Sequence, residues 1–205
     1  EEIRDNALAV SNLLSNKIGG KSVYPYQPLG IWMELNNRPG YSRKYPQATG
    51  EDLYRRSLYT FWKRTVPSPM LKTLDAPERE FCTIQRSRTN TPLQALTLLN
   101  EVAFVEAARN LAQQMLQYKT DNDTDRLRWG WRQLTARYPN KYELAVLKKM
   151  LAASRTQYKT DIESAKELIA FGESVASTEF SSEELAAFTI VANLILNLDE
   201  VINRE

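Results

Sequence analysis

The sequence predicts an all-α fold, an irregular multi-helix array with long proline-rich loops in its N-terminal half. Apolar residues recur at helical spacing through most of residues 91–196. Helix-capping patterns precede several of these runs, and six of the nine prolines fall between residues 25 and 69. Residues 81–88 have a strand-like composition, so we expect at most a minor extended segment there.

The N-terminal third predicts short elements separated by loops. Residues 1–17 carry apolar side chains at helical spacing and predict an amphipathic helix, which the two glycines that follow would end. Residues 31–35 predict a short helical turn. Residues 36–50 are polar and are interrupted by two prolines and two glycines, which is typical of an irregular surface loop.

The stretch YRRSLYTFWKRT, residues 54–65, combines four basic and four aromatic side chains. Thr49 and Asp52 precede it at the spacing of a capping pair, which predicts a helix that continues until the next prolines block it. On such a helix Phe61 and Trp62 fall on an apolar face and are expected in the core. The opposite face carries Arg55, Arg56, Tyr59, Lys63 and Arg64.

The clearest helical signal follows Thr91, which is expected to cap a helix with Pro92 at its first position and Gln94 completing a capping box. Asn100 leaves open whether this run is one helix or two. Residues 121–205 predict three or four further helices. Their capping pairs are Asn140 with Glu143 and Ser181 with Glu184.

The whole chain, 1–205, is interpreted as a single all-α domain and a piece of a longer protein, with a soft subdivision into 1–118 and 123–205. Residues 38–159 carry 22 Lys and Arg against 11 Asp and Glu, whereas residues 160–205 carry 2 against 10. The acidic end can pack beside the basic middle, or the basic middle can face an anionic partner. No run approaches the roughly 18 apolar residues of a membrane span.

The sequence contains no histidine, which excludes His-based triads, Cys–His dyads and His-ligated zinc. Cys82 is the single cysteine, so neither an internal disulfide nor a CxxCH haem attachment can form within the chain. Any reaction would depend on carboxylates, Lys, Tyr, Ser or Thr. The composition therefore favours a non-catalytic protein, and it predicts no metal ligands and no cofactor in this chain.

Two interpretations of the basic side chains remain open. They could bind an anionic polymer, and the candidate residues are then Arg56, Tyr59, Lys63, Arg86 and Arg88. Alternatively, the arginines pair with nearby carboxylates inside the fold. We do not expect nucleic acid as a partner, because no recognised binding signature accompanies the charge.

Two smaller groups of residues also have alternative interpretations. Asp75, Glu78 and Glu80 could supply a carboxylate pair for acid–base hydrolysis, or they could cap a helix and bind neighbouring arginines. Three aromatic side chains lie among prolines: Tyr24, Tyr26 and Trp32. They favour a clamp that holds a loop to the core over a platform for sugars.

Several long strings resemble one known family. They are GGKSVYPYQPLGIWMEL, GEDLYRRSLYTFWKRTVPSPML, DAPEREFCTIQRSRTNTPLQALTLLN, FVEAARNLAQQML and LAAFTIVANLILNLDEVINRE. Together they resemble the C-terminal domain of unknown function of large planctomycete proteins that often carry a cytochrome-c-like domain further upstream. The likeness covers nearly the whole chain, and one departure is Glu101-Val102, where the family often has Asp-Pro.

The resemblance implies a periplasmic or secreted protein of several domains, in which any haem is held by a separate upstream domain. It implies the upstream domains as partners, and the family's association with polysaccharide-processing proteins adds an anionic polysaccharide as a ligand. It carries over no catalytic residues. We therefore expect a structural or binding module. Anionic polysaccharide binding and a part in a carboxylate-dependent hydrolase are the alternatives.

Overall fold

The computed structural model describes residues 1–34, 43–63, 65–78 and 82–203. Ten α-helices lie within them: α1 (Glu2–Val10), α2 (Ile31–Glu34), α3 (Pro69–Thr73), α4 (Pro92–Asn100), α5 (Val102–Gln117), α6 (Asp123–Thr135), α7 (Lys141–Thr160), α8 (Ile162–Ile169), α9 (Ser182–Leu196) and α10 (Asp199–Ile202). Two short 3-10 helices, Gly50–Tyr54 and Ser57–Tyr59, precede α3. Pairing between extended segments in these residues is limited to isolated bridges, so the predicted all-α class is confirmed.

The chain divides into two compact units. Unit 1 comprises Glu1–Asp5 and Leu14–Thr97, and unit 2 comprises Asn6–Leu13 and Leu98–Glu205. Helices α1 and α4 therefore each begin in unit 1 and end in unit 2. None of the described helices is long and apolar enough to cross a membrane.

Helix α9 forms the centre of unit 2. Ten of its fifteen residues are buried, and it packs against α5, α7 and α8. Its small and large apolar side chains point to all sides, which is typical of a helix surrounded by others. Phe188 and Ile195 are both fully buried, and burial of such a side chain contributes about 2 kcal/mol.

A buried ion pair in unit 2 fixes the loop that follows α8. The side chains of Glu106 and Arg109, one turn apart on α5, are at most 1% exposed and lie 3.7 Å apart. Glu106 Oε1 accepts a hydrogen bond from the backbone N–H of Ser174 (2.7 Å), and Arg109 donates to backbone carbonyls of residues 169–174. Gly172 in this loop has a φ of +85°, and a Cβ there would overlap the Glu106 carboxylate.

Two arginines connect helix starts in unit 2. Arg155 of α7 binds Asp123 in the first turn of α6 (2.5 Å) and Glu184 in the first turn of α9. The hydrogen bond from Arg155 lowers the pKa of Asp123. Arg137 likewise binds Glu143 in the first turn of α7, and its hydrogen bonds lower the pKa of that carboxyl to about 2. Carboxylates in a first helical turn also interact favourably with the partial positive charge at the helix N-terminus.

The predicted caps of α4, α7 and α9 are confirmed. At α4, Thr91 Oγ1 accepts from the backbone N–H of Gln94 (3.3 Å), and Gln94 Oε1 accepts from that of Thr91 (3.0 Å). The run after Thr91 is two helices, because Glu101 has an extended backbone and caps α5 by accepting from the N–H of Ala103 (2.9 Å). The described part of residues 121–205 holds five helices where three or four were predicted.

Helix α1 ends at Val10, well before the two glycines that were predicted to end it. Asn12 has a φ of +60°, the N–H of Leu13 donates to the carbonyl of Leu8 (2.9 Å), and the N–H of Asn12 donates to that of Ala9 (3.1 Å). These two bonds form a Schellman motif, in which Asn takes the left-handed position that glycine usually occupies. Asn12 was the overlooked stop signal.

The prediction of a helix from Thr49 to about residue 65 is wrong. Thr49 makes no side-chain capping bond, and the chain forms the two 3-10 helices instead. The carbonyl oxygens of Leu53 and Arg55 accept hydrogen bonds from the guanidinium of Arg4. Because an α-helix needs these carbonyls for its own N–H groups, the tertiary donor overrides the local pattern.

Three further predictions concern loops. The predicted helical turn is α2, and residues 82–88 form no regular element. Residues 36–42 of the predicted loop over residues 36–50 lie outside the described residues. So do Arg64, Glu80 and residue 81.

Candidate interaction surface

Two buried arginines organise the basic stretch in unit 1. Arg4 donates from Nη2 to the carbonyl of Leu53 (2.7 Å) and from Nη1 to that of Arg55 (2.9 Å). Arg55, predicted on a solvent-facing side, is only 2% exposed and donates to the carbonyls of Lys17 (3.1 Å) and Gly19 (2.5 Å). These guanidinium groups are therefore structural, since backbone carbonyls from distant segments occupy them.

The candidates Tyr59 and Arg56 flank this arrangement. The Arg55 guanidinium lies 4.1 Å from the ring centre of Tyr59, whose hydroxyl accepts from the N–H of Gly19 (2.9 Å). Tyr59 is half-buried as a result. Arg56 is 59% exposed and lies 3.9 Å from the carboxylate of Asp5.

The candidates Lys63, Arg86 and Arg88 also lie in unit 1. The Lys63 ammonium is 4.1 Å above the ring of Trp32, and Arg86 pairs with Glu1 at 2.7 Å. Arg88 is exposed. Four of the five predicted binding residues thus contact a neighbour within the unit, and for Arg56 and Arg86 that neighbour is a carboxylate. Polysaccharide binding through these residues stays a prediction.

Four aromatic rings form a cluster in unit 1. Tyr24 stacks on Phe61 with ring centres 4.8 Å apart, and Trp32 meets Tyr45 edge-on at 5.1 Å. Trp32 is buried, whereas Phe61 is only partly buried. Such ring pairs contribute about 1 kcal/mol each beyond their buried area. Through Tyr24 and Trp32, the cluster packs the proline-rich segment against Phe61, as the clamp interpretation predicts.

The acidic residues near α3 have different partners. Asp75, which has a φ of +60°, accepts from the N–H of Thr89 (2.8 Å) and from the amide of Gln94 (3.1 Å). Glu78 forms an ion pair with Lys72. Across the described part of the chain, no group of three or more cysteine, aspartate or glutamate side chains is placed to hold a metal ion.

Residues 82–93 are all exposed and are called the exposed segment below. Ile84 shows its whole side chain to solvent (104%), and Leu93 and Leu96 are 61% and 57% exposed. Among the described residues, no backbone–backbone hydrogen bond joins 82–90 to another segment. The exposed segment therefore presents apolar side chains and peptide groups side by side.

Sequence reasoning did not find the residues that fix this surface. The local sequence around Arg4 predicts only a charged residue on an amphipathic helix. No local pattern predicts the hydrogen bonds between Asp75 and Thr89. The box formed by Thr91 and Gln94 was a usable signal, but it indicates only the two bonds between these residues. The contact between its amide and Asp75 depends on the tertiary path.

Replacing Arg4 by Met is expected to lower the free energy of unfolding by about 2–3 kcal/mol, because buried carbonyls lose charged donors. Urea unfolding measures the change. Arg56→Met is the matched control, since Arg56 is 59% exposed and makes one long ion pair; its effect should stay under about 1 kcal/mol. Equal effects for the two variants would contradict a structural role for Arg4.

Comparison with known proteins identifies the family of the chain. No curated protein and no solved structure matches it. A family model described as a protein of unknown function, DUF1553, matches residues 1–151 of the 205. The match includes the basic stretch, the aromatic cluster and the exposed segment. Because it covers well over half of the chain, the protein belongs to the DUF1553 family.

Proposed function

We propose that this chain is a non-catalytic docking module, which binds another polypeptide through the exposed segment. The observation that carries the proposal is the exposure of every residue from 82 to 93, with Ile84 fully in solvent. An apolar side chain of this size gains about 2 kcal/mol when it is covered. Exposed apolar surface is a feature of protein interaction sites.

The anchoring of the exposed segment supports this function. Thr89 is bonded to Asp75 through both its N–H (2.8 Å) and its hydroxyl (2.9 Å), and Arg86 pairs with Glu1. Association costs less when the binding segment is already ordered, since less conformational entropy is lost. An anchored, exposed segment can also pair with an added strand, which is a common mode of peptide recognition.

The partner that fits is an extended polypeptide with apolar side chains, which would cover Ile84 and Leu93 and pair with the backbone between them. The family resemblance suggests that it belongs to upstream domains of a larger exported planctomycete protein. In that setting any haem would sit in a separate cytochrome-c-like domain, and this chain would serve as a structural module.

Cys82, which begins the exposed segment, provides the test because it is exposed and is the single cysteine. We expect its thiol to react rapidly with iodoacetamide in the isolated chain. In the protein as it occurs in its native cells, the reaction should be slower by at least about tenfold, since a docked polypeptide would cover it. Mass spectrometry of the Cys82 peptide measures both rates.

Val175→Cys in a Cys82→Ser background is the matched control, because Val175 in unit 2 is 87% exposed. It should react equally fast in both settings. Ile84→Asp should restore labelling of Cys82 in native cells, since docking would bury a charge. Equal Cys82 rates in both settings, or protection of both positions alike, would contradict the proposal.

A further inference from the structure

A groove in unit 2 combines aromatic rings with charged side chains. It lies beside the end of α5, along α6 and against the turn that follows α6, and its volume is about 640 Å³. Tyr118 and Trp129 stack with ring centres 5.8 Å apart, and Tyr138 lines the same groove. Tyr118 and Tyr138 are 42% and 61% exposed, so ring surface faces the groove opening.

Three cations line the same groove: Lys119, Arg128 and Arg132. Arg132 donates from Nη1 to the hydroxyl of Tyr138 (2.7 Å), and its guanidinium lies 4.9 Å from the centre of that ring. This contact holds the guanidinium in place with other N–H groups still available. A guanidinium held in this way is suited to two-point binding of a carboxylate or sulfate.

One acidic group, Asp125, completes the lining and lies 3.4 Å from Arg128, with both side chains about half exposed. The groove therefore offers hydrogen-bond donors, a carboxylate acceptor, hydroxyl groups and ring faces within one small volume. A ligand that uses all of these must carry negative charge, hydroxyl groups and an apolar ring face. A groove of this volume suits a small ligand.

We propose that this groove binds a short acidic saccharide, with Arg128 and Arg132 on its carboxylate or sulfate and the aromatic rings against its sugar faces. A single-stranded nucleic acid fits less well. Stacking of successive bases requires a track of several open rings, whereas the stacked Tyr118 and Trp129 leave only their outer faces open and Arg132 lies over one face of Tyr138. The proposal does not depend on docking through the exposed segment.

Titration calorimetry of the full chain with trigalacturonate tests the proposal, with neutral maltotriose and hexathymidylate as comparison probes. We expect binding of trigalacturonate that weakens at high salt, because half-exposed charges are screened. Maltotriose and hexathymidylate should bind at least about tenfold more weakly, since maltotriose lacks the negative charge and hexathymidylate lacks the sugar hydroxyl groups along its chain.

The double variant Arg128→Gln/Arg132→Gln should raise the Kd for trigalacturonate at least about tenfold, as two charged hydrogen bonds are lost. Tyr138→Ala should also weaken binding, and circular dichroism verifies that each variant is folded. The matched control is Lys149→Gln/Lys159→Gln, which removes the same charge from exposed positions of α7 outside the groove lining and should leave the Kd unchanged. Absent binding, tighter binding of hexathymidylate, or loss of binding in the control variant alone would overturn the proposal.

Discussion

Gly172→Ala is expected to lower the free energy of unfolding by about 3 kcal/mol or more. A left-handed backbone costs a residue with a Cβ about 1–2 kcal/mol, and forced overpacking of a close-packed site costs about 1–3 kcal/mol more. Both apply, because Gly172 has a φ of +85° and its added methyl group would overlap the carboxylate of Glu106. Glu106 cannot move aside easily, since it is fully buried and accepts from Ser174.

The control for this prediction is Gly19→Ala. Gly19 has a φ of +77°, but nothing lies within 4 Å of the position a Cβ would take. The variant therefore has the backbone cost without the overlap and should lose only about 1–2 kcal/mol. Urea unfolding compares the two variants, and a loss at Gly172 no larger than at Gly19 would show that Glu106 does not fix the loop.

Arg109→Met is expected to be at least as severe, with a loss of about 3–5 kcal/mol, which is the usual effect of breaking a buried ion pair from one side. The guanidinium is 1% exposed and donates to the carbonyls of Ile169 (2.6 Å) and Phe171 (3.1 Å). Its removal leaves these carbonyls without that donor and leaves the buried Glu106 carboxylate without its cation.

Two further variants separate charge from packing. Arg128→Met removes an exposed arginine that also pairs one turn away, and it should cost under about 1 kcal/mol. Adding Glu106→Gln to Arg109→Met should recover part of the lost stability, because the buried charge is then gone. A double variant less stable than Arg109→Met alone would contradict this account of the pair.

The parts of the fold that could be predicted depend on neighbours in sequence. The caps of α4, α7 and α9 were found because a side chain bonds a backbone N–H only a few residues away. The helix after Thr49 failed because its competitor was distant. Arg4, some fifty positions away, takes carbonyls that a helix needs, and no local pattern contains that information.

The candidate surface shows the same limit. The sequence pointed to the basic stretch, yet a charge count cannot distinguish Arg55, which is 2% exposed, from its neighbour Arg56, which is 59% exposed. The sequence also does not predict the exposure of residues 82–93, because Ile84 is of a residue type typical of the core. The groove in unit 2 is lined by side chains of α6 and its flanking residues, and their spacing in the sequence matches no motif.

The central position of α9 has a consequence for how the protein is made. The helices that pack on it, α5, α7 and α8, all leave the ribosome first. At roughly 5–20 residues per second, several seconds pass between the synthesis of α5 and that of α9. During that time the apolar face of α5 has no helix α9 to cover it, so the nascent chain exposes apolar surface until α9 is made.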